Sequence, residues 1–196
     1  LVEKPIALNV EDADAMIAAA ERTGKLLMVA QVLRFWPEFA VIKDLLDSGE
    51  YGALRGAHFK RVISRPDWSG DNWFDDPSKT GGPVVDLHIH DTDFIQYLLG
   101  KPEAVWSTGT VSKGGGVDYL VTQYQYPGRN VCITAQSGAV AMKGIEFELG
   151  YDVYFERAML KHNSSTTPKV ELYTEDGGKQ ELTPRITDGF ATQLQI

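Results

Sequence analysis

The sequence has 196 residues, 43% of them hydrophobic, with a formal charge of −8 and a pI near 5.0. That is enough apolar material for one good core and a small second lobe, and the acidity argues against nucleic-acid binding, which needs a concentrated basic surface. A single cysteine, Cys132, excludes an internal disulfide framework and a Cys-based zinc site, and no apolar run is long enough to span a bilayer.

The chain opens in mid-pattern at Leu1-Val2-Glu3-Lys4-Pro5, like the end of a strand, and is expected to be cut from a longer chain. Asn9 is a good N-cap, and Val10, Ala13, Met16, Ile17 and Ala20 keep helical spacing until Gly24 supplies a left-handed stop, which predicts a helix over 10–23. Leu26 to Ala30 reads as a short strand buried on both faces, as in a parallel sheet. A second helix is expected from Pro37, carrying Phe39, Ile42, Leu45 and Leu46 inward and stopping near Gly49.

Residues 53–65 look extended, and a loop rich in Pro, Asp, Gly and Trp follows to Pro83. A third helix is predicted from about Asp86 to Leu99, closed by Gly100 with Pro102 beyond. The character then changes to strands, near 104–111, 119–126, 130–139, 146–155 and 169–174, and the Asp176-Gly177 hairpin signal adds 180–182. Cys132 falls in an alternating run and is expected to be a small buried thiol in a reducing cytoplasm. Helices first and strands last predict an α+β fold, with helices packed on one face of a large, mostly antiparallel open sheet. The alternation of Val121, Gln123 and Gln125, and of Val131 and Ile133, predicts that the other face is apolar and pairs with a second subunit.

The strongest chemical constellation is Gly81-Gly82-Pro83-Val84-Val85-Asp86-Leu87-His88-Ile89-His90-Asp91-Thr92-Asp93. On a helix Asp86 and His90 share a face that Asp93 and Tyr97 continue, while Leu87, Phe94, Ile95 and Leu98 cover the opposite side. A carboxylate beside an imidazole fixes the ring and favours its charged form, which suits a general acid or base. Acidic first-turn residues favoured by the helix dipole, with an incidental histidine, explain the same pattern. His88 and His90 also form an H-x-H pair that would share a metal on a strand, but on a helix they diverge by roughly 200°. With only His58 and His162 as further imidazoles and no H-E-x-x-H, no metal is expected, and His88 reads as a packing or hydrogen-bonding residue. Lys4 ends the opening strand, where doubly wound folds bind ligands; taken alone it is an exposed loop lysine.

Glu3-Lys4-Pro5, the helix and strand after it, Arg34 to Pro37, the turn from Asp47 to Gly52, Gly81-Gly82 and the run from Asp86 to Asp93 occur together and in order. This combination resembles the glucose-fructose oxidoreductase and inositol dehydrogenase family (Gfo/Idh/MocA). The resemblance covers residues 1–140 clearly and the later strands loosely.

It implies that residues 1–30 are the last strand-helix-strand of a Rossmann domain and 31–196 the C-terminal domain, whose sheet forms subunit interfaces. By it, Lys4, Asp86 and His90 are the catalytic residues, with His90 taking the substrate hydroxyl proton as hydride leaves. Lys4 and Asp86 then orient the pair and set the His90 pKa near working pH. Glu3, Lys4 and Pro5 touch the cofactor, NAD or NADP, and Arg34, Trp73, Asp86 and His90 the sugar or polyol. No G-x-G-x-x-G occurs, so the glycine turn that cradles the pyrophosphate is expected upstream. His88 stands where the family usually has glycine, and Pro83 replaces the third glycine of the usual run.

Trp36, Trp68 and Trp73 offer faces to a sugar ring and serve equally as core or loop anchors. The expected assembly is a homo-dimer or homo-tetramer through the sheet. Two other classes stay open: a non-catalytic dimerising module, and a metal-dependent hydrolase using His88 and His90.

Overall fold

In a computed structural model of the chain, residues 1–65, 76–112, 115–185 and 188–195 are described. Trp68 and Trp73 lie outside the described residues. The chain begins with β1 (Val2–Glu3), α1 (Val10–Thr23) and β2 (Val29–Ala30), the two strands pairing in parallel. Asn9 caps α1 by accepting from the Asp12 N–H at 2.7 Å, and Gly24 ends it at φ 64°. The expected strand over 26–30 shrinks to its last two residues, and Leu26 is 85% exposed instead of buried. Among the described residues β2 pairs only with β1, and within the run only Ala30 is buried, so an apolar run alone does not bury itself.

A short 3-10 segment (Val32–Phe35) leads into α2 (Pro37–Ser48), which starts on Pro37 and stops at Gly49. β3 (Leu54–Ser64), α3 (Pro77–Thr80) and α4 (Pro83–Leu99) follow. α4 begins three residues earlier than expected, because Pro83 at its first position is pre-set for a helix. The strands β4 (Ala104–Val111), β5 (Val117–Gln125), β6 (Cys132–Ala141), β7 (Glu148–Phe155), β8 (Ala158–Asn163), β9 (Thr167–Thr174) and β10 (Lys179–Leu182) come next, and α5 (Gly189–Gln193) comes last. β8 had no sequence expectation: its link to β7 is Glu156-Arg157, without the Asn-Gly or Asp-Gly pair that marks a hairpin.

The eight strands form one sheet in the order β10-β9-β8-β7-β3-β6-β5-β4, antiparallel throughout except where β3 lies parallel to β6. Helices α2 and α4 cover one face, giving the expected α+β architecture. Phe39 of α2 meets Phe94 of α4 edge-on at 5.4 Å and Tyr151 of β7 at 5.2 Å, and Phe59 of β3 completes a buried aromatic cluster.

Strand register decides the composition of the two faces. One row across the sheet, Leu160, Val153, Ala57, Ile133 and Tyr124, points at the helices; the next, Lys161, Asp152, His58, Thr134 and Gln123, points away. That row of the open face is polar and Ile133 and Val131 belong to the helix side, whereas Val121 and the exposed Trp106 and Tyr154 stand on the open face, which is thus mixed and not uniformly apolar. The same alternation turns Cys132 outward, so the thiol is exposed rather than buried.

Candidate active site

α4 carries the site, and each polar residue along it takes a different partner. Gly81 and Gly82, both with positive φ, make the tight entry; a Cβ at Gly81 would sit 2.9 Å from that of Val85. Val84, Leu87, His88, Asp91, Phe94 and Ile95 then form the buried stripe at helical spacing. His88 is held at both ring nitrogens, Nδ1 by Ser137 at 2.9 Å and Nε2 by Thr122 at 2.9 Å, with the Tyr124 hydroxyl at 3.2 Å. It thus packs and hydrogen-bonds against β5 and β6, while His90 faces a cavity on another side of the helix. The two rings do not converge on a common point, and among the described residues no group of three or more His, Cys, Asp or Glu is placed to hold a metal.

The Lys4 ammonium reaches across to α4 and donates to the Asp86 carboxylate at 2.6 Å and to the Asp86 carbonyl at 2.9 Å. Arg61 of β3 makes a forked pair with Asp91 at 3.0 and 3.1 Å, fully buried on the carboxylate side. Arg34 makes a second fork, with Asp93, at 2.5 and 2.8 Å, and its guanidinium lies 5.2 Å from the Tyr97 ring. Three carboxylates of one helix thus fix three cations brought by separate segments.

His90, Lys4 and Arg61 line one cavity of about 470 Å³, within the range of small-molecule sites. Its walls are otherwise mostly apolar, made by Leu33, Trp36, Phe147, Leu149 and Phe190. Glu3 and Ala30, at the C-terminal ends of β1 and β2, open into it, which is where ligands sit on parallel sheets. Asp86 touches the cavity only through Lys4, and the Lys4–Pro5 peptide is cis. Arg34 lines a separate hollow with Ile6, Met28 and Asp93. Trp36 is a wall residue of the His90 cavity, and Trp73 lies outside the described residues.

Burial, then the Arg61 guanidinium, then the Lys4 ammonium push His90 down from 6.5 to about 3, so its ring is neutral at physiological pH. The expected balance between Lys4 and Asp86 is absent, because the Asp86 carboxylate is spent on Lys4 and the His90 Nδ1 is buried with no hydrogen-bond partner among the described residues. Arg61, Asp91 and Gln193 were not singled out in the sequence. The alternation Ala57, Phe59, Arg61 along β3 marks Arg61 as inward-facing, and Asp91 falls on the apolar stripe of α4, so this buried pair was readable. Nothing local points to Gln193.

Residues 39–161 match the family described as GFO/IDH/MocA C-terminal domain, and residues 1–31 match the oxidoreductase family with an NAD-binding Rossmann fold. A trans-1,2-dihydrobenzene-1,2-diol dehydrogenase from Oryctolagus cuniculus is 32% identical over 136 residues, covering 65% of this chain. The chain spans only 39% of that relative's length. Among solved structures, UDP-N-acetylglucosamine 3-dehydrogenase from Acidithiobacillus ferrooxidans superposes with a TM-score of 0.77 at 19% identity, over 100% of this chain and 59% of that one. Levoglucosan dehydrogenase, in complex with NADH and levoglucosan, superposes with a TM-score of 0.79 at 18% identity, over 97% and 60%. At such identities the likeness is one of fold.

Proposed function

This chain belongs to the GFO/IDH/MocA oxidoreductase family, and from that premise we propose that it supplies the substrate-holding and proton-transfer groups of a nicotinamide-dependent dehydrogenase acting on a secondary alcohol of a sugar or cyclitol. The observation that carries this is the meeting of His90 and Lys4 on the wall of one apolar-walled cavity at the C-terminal ends of two parallel strands.

The residues present suit such a cofactor. Glu3 ends β1 and Lys4 and Pro5 follow it, and the His90 Nδ1, which has no hydrogen-bond partner among the described residues, is available to a bound group. A bound nicotinamide would supply the hydride acceptor. Lys4 spends two of its three N–H groups on Asp86, which leaves one to hold the substrate oxygen. The neutral His90 ring is the proton acceptor. Charging it is uphill, since burial and two cations oppose the imidazolium. A hydroxyl whose carbon is losing hydride becomes strongly acidic, however, and a weak base then suffices.

Assays of the full-length protein with NAD and NADP against a panel of aldoses and cyclitols test the assignment. Turnover is expected, and His90→Ala should lower kcat by about 10²- to 10⁴-fold with little change in KM. Absence of turnover across the panel would overturn the assignment, and a loss confined to KM would make His90 a substrate-holding residue only.

Self-association through the sheet belongs to the same proposal. It is supported by an open face on which exposed Trp106 and Tyr154 stand beside polar residues such as Lys161 and Asp152, a mixed surface of the kind that subunits bury. Light scattering across a wide concentration range should find dimers or tetramers. No helix among the described residues is long and apolar enough to cross a membrane, and we place the protein in the cytoplasm.

A further inference from the structure

The polar groups lining the His90 cavity are mostly committed already. Lys4 is matched by Asp86 and Arg61 by Asp91, each cation by its own carboxylate. Gln193 is different. It is 4% exposed, it lines the cavity, and its Oε1 is buried with no hydrogen bond reaching it among the described residues. A buried amide oxygen without a donor has lost its hydration and gained nothing in return, and one that lines a cavity is favoured by any ligand donor that reaches it.

The amide is held in place. α5 starts against the 3-10 segment through Gly189, where a Cβ would lie 2.8 Å from the Phe35 carbonyl oxygen. Asp188 caps α5 by accepting from the Ala191 N–H at 3.0 Å, and Phe190 packs edge-on against Trp36 at 5.6 Å.

We propose that Gln193 is a specificity-determining residue of the cavity, hydrogen-bonding one hydroxyl of an uncharged sugar or cyclitol ring; this rests on the dehydrogenase assignment above. A hydroxyl both donates and accepts, so it satisfies the amide whichever end faces it. A carboxylate ligand suits the cavity less well, because Lys4 and Arg61 are both neutralised and Glu3 adds a negative charge to the wall.

The test is steady-state kinetics of the full-length protein on myo-inositol, D-glucose, D-xylose and D-glucuronate with NAD and NADP, then on the monodeoxy analogues of the best substrate. For one deoxy position the wild type should lose roughly 10- to 100-fold in kcat/KM. Gln193→Met should lose about as much on the parent substrate and no longer distinguish that analogue. Gln193→Glu, which keeps an acceptor at the same reach, should still distinguish it. A folded Gln193→Met that discriminates across the whole series like the wild type overturns the proposal. If the Met variant fails to fold by circular dichroism, the Glu variant decides, and its loss of discrimination overturns the proposal. A preference for glucuronate also overturns it. A wild type inactive on every compound overturns the dehydrogenase assignment, and this proposal with it.

Discussion

Lys4, Asp86 and His90 illustrate what residue spacing states and what it leaves open. An interval of four places Asp86 and His90 on one side of α4. It does not say which neighbour each side chain takes, and that neighbour is set by β1, which delivers Lys4 from 82 residues away to bind Asp86. Lys4 is one of the groups that lower the His90 pKa. Lys4→Met should therefore raise it from about 3, as followed by the pH titration of the His90 ring protons in NMR spectra. An unchanged titration would show that Lys4 has no electrostatic hold on the ring. Arg61 and Asp91 give a second residue-level test. Removing one member of a buried pair strands the other charge, so Arg61→Met should cost about 3–5 kcal/mol, while the double variant with Asp91→Leu should recover most of that. Urea denaturation measures both, and equal loss in the single and double variants would mean that packing, not the ion pair, is what the site supplies.

At the scale of elements, caps and periodicity were the dependable signals. Asn9, Gly24, Pro37 and Gly49 delimit α1 and α2 where the sequence puts them, because each acts through its own backbone geometry. β8 was not legible, since it is stabilised between β7 and β9, while α5 is too short to persist without the 3-10 segment it packs on. His88 is an element-level device as well. It fills a position that would be empty with glycine and ties α4 to two strands through Ser137 and Thr122. His88→Ala should leave both hydroxyls without their ring partner and open a small void, costing about 2–4 kcal/mol. The expected readout is a lower urea midpoint at unchanged m-value, with His90 still titrating near its wild-type value. A midpoint within experimental error of the wild type would show that the hydroxyls re-pair among themselves, as Ser107 and Thr122 already do at 2.9 Å.

For the whole molecule, the fold places all four of its histidines in environments that resist protonation. Burial is the leading cause for His58, His88, His90 and His162 alike, and each has its pKa lowered from 6.5, to about 3 for His90. The unfolded chain therefore binds protons near pH 6.5 that the native chain refuses until lower pH. Wherever the unfolded state binds more protons, stability rises with pH, so the contribution is fully present above about 6.5 and is lost as the solution is acidified. For His90 the interval runs from 6.5 down to about 3. At roughly 1.4 kcal/mol per pH unit, this one ring accounts for a loss on the order of 4–5 kcal/mol by the bottom of that range. Glu148, held below its ordinary value chiefly by its hydrogen bond from Lys60, extends the fall at the acid end in the same direction. Urea unfolding at pH 7.5, 6.0 and 4.5 should give a stability that is nearly level above neutrality and drops steeply below pH 6, and His90→Gln should flatten that drop. A stability that is level from pH 7.5 to 4.5, or a variant as acid-sensitive as the wild type, would mean that the His90 ring is charged in the native cavity, and the neutral proton acceptor assigned to it would have to be abandoned.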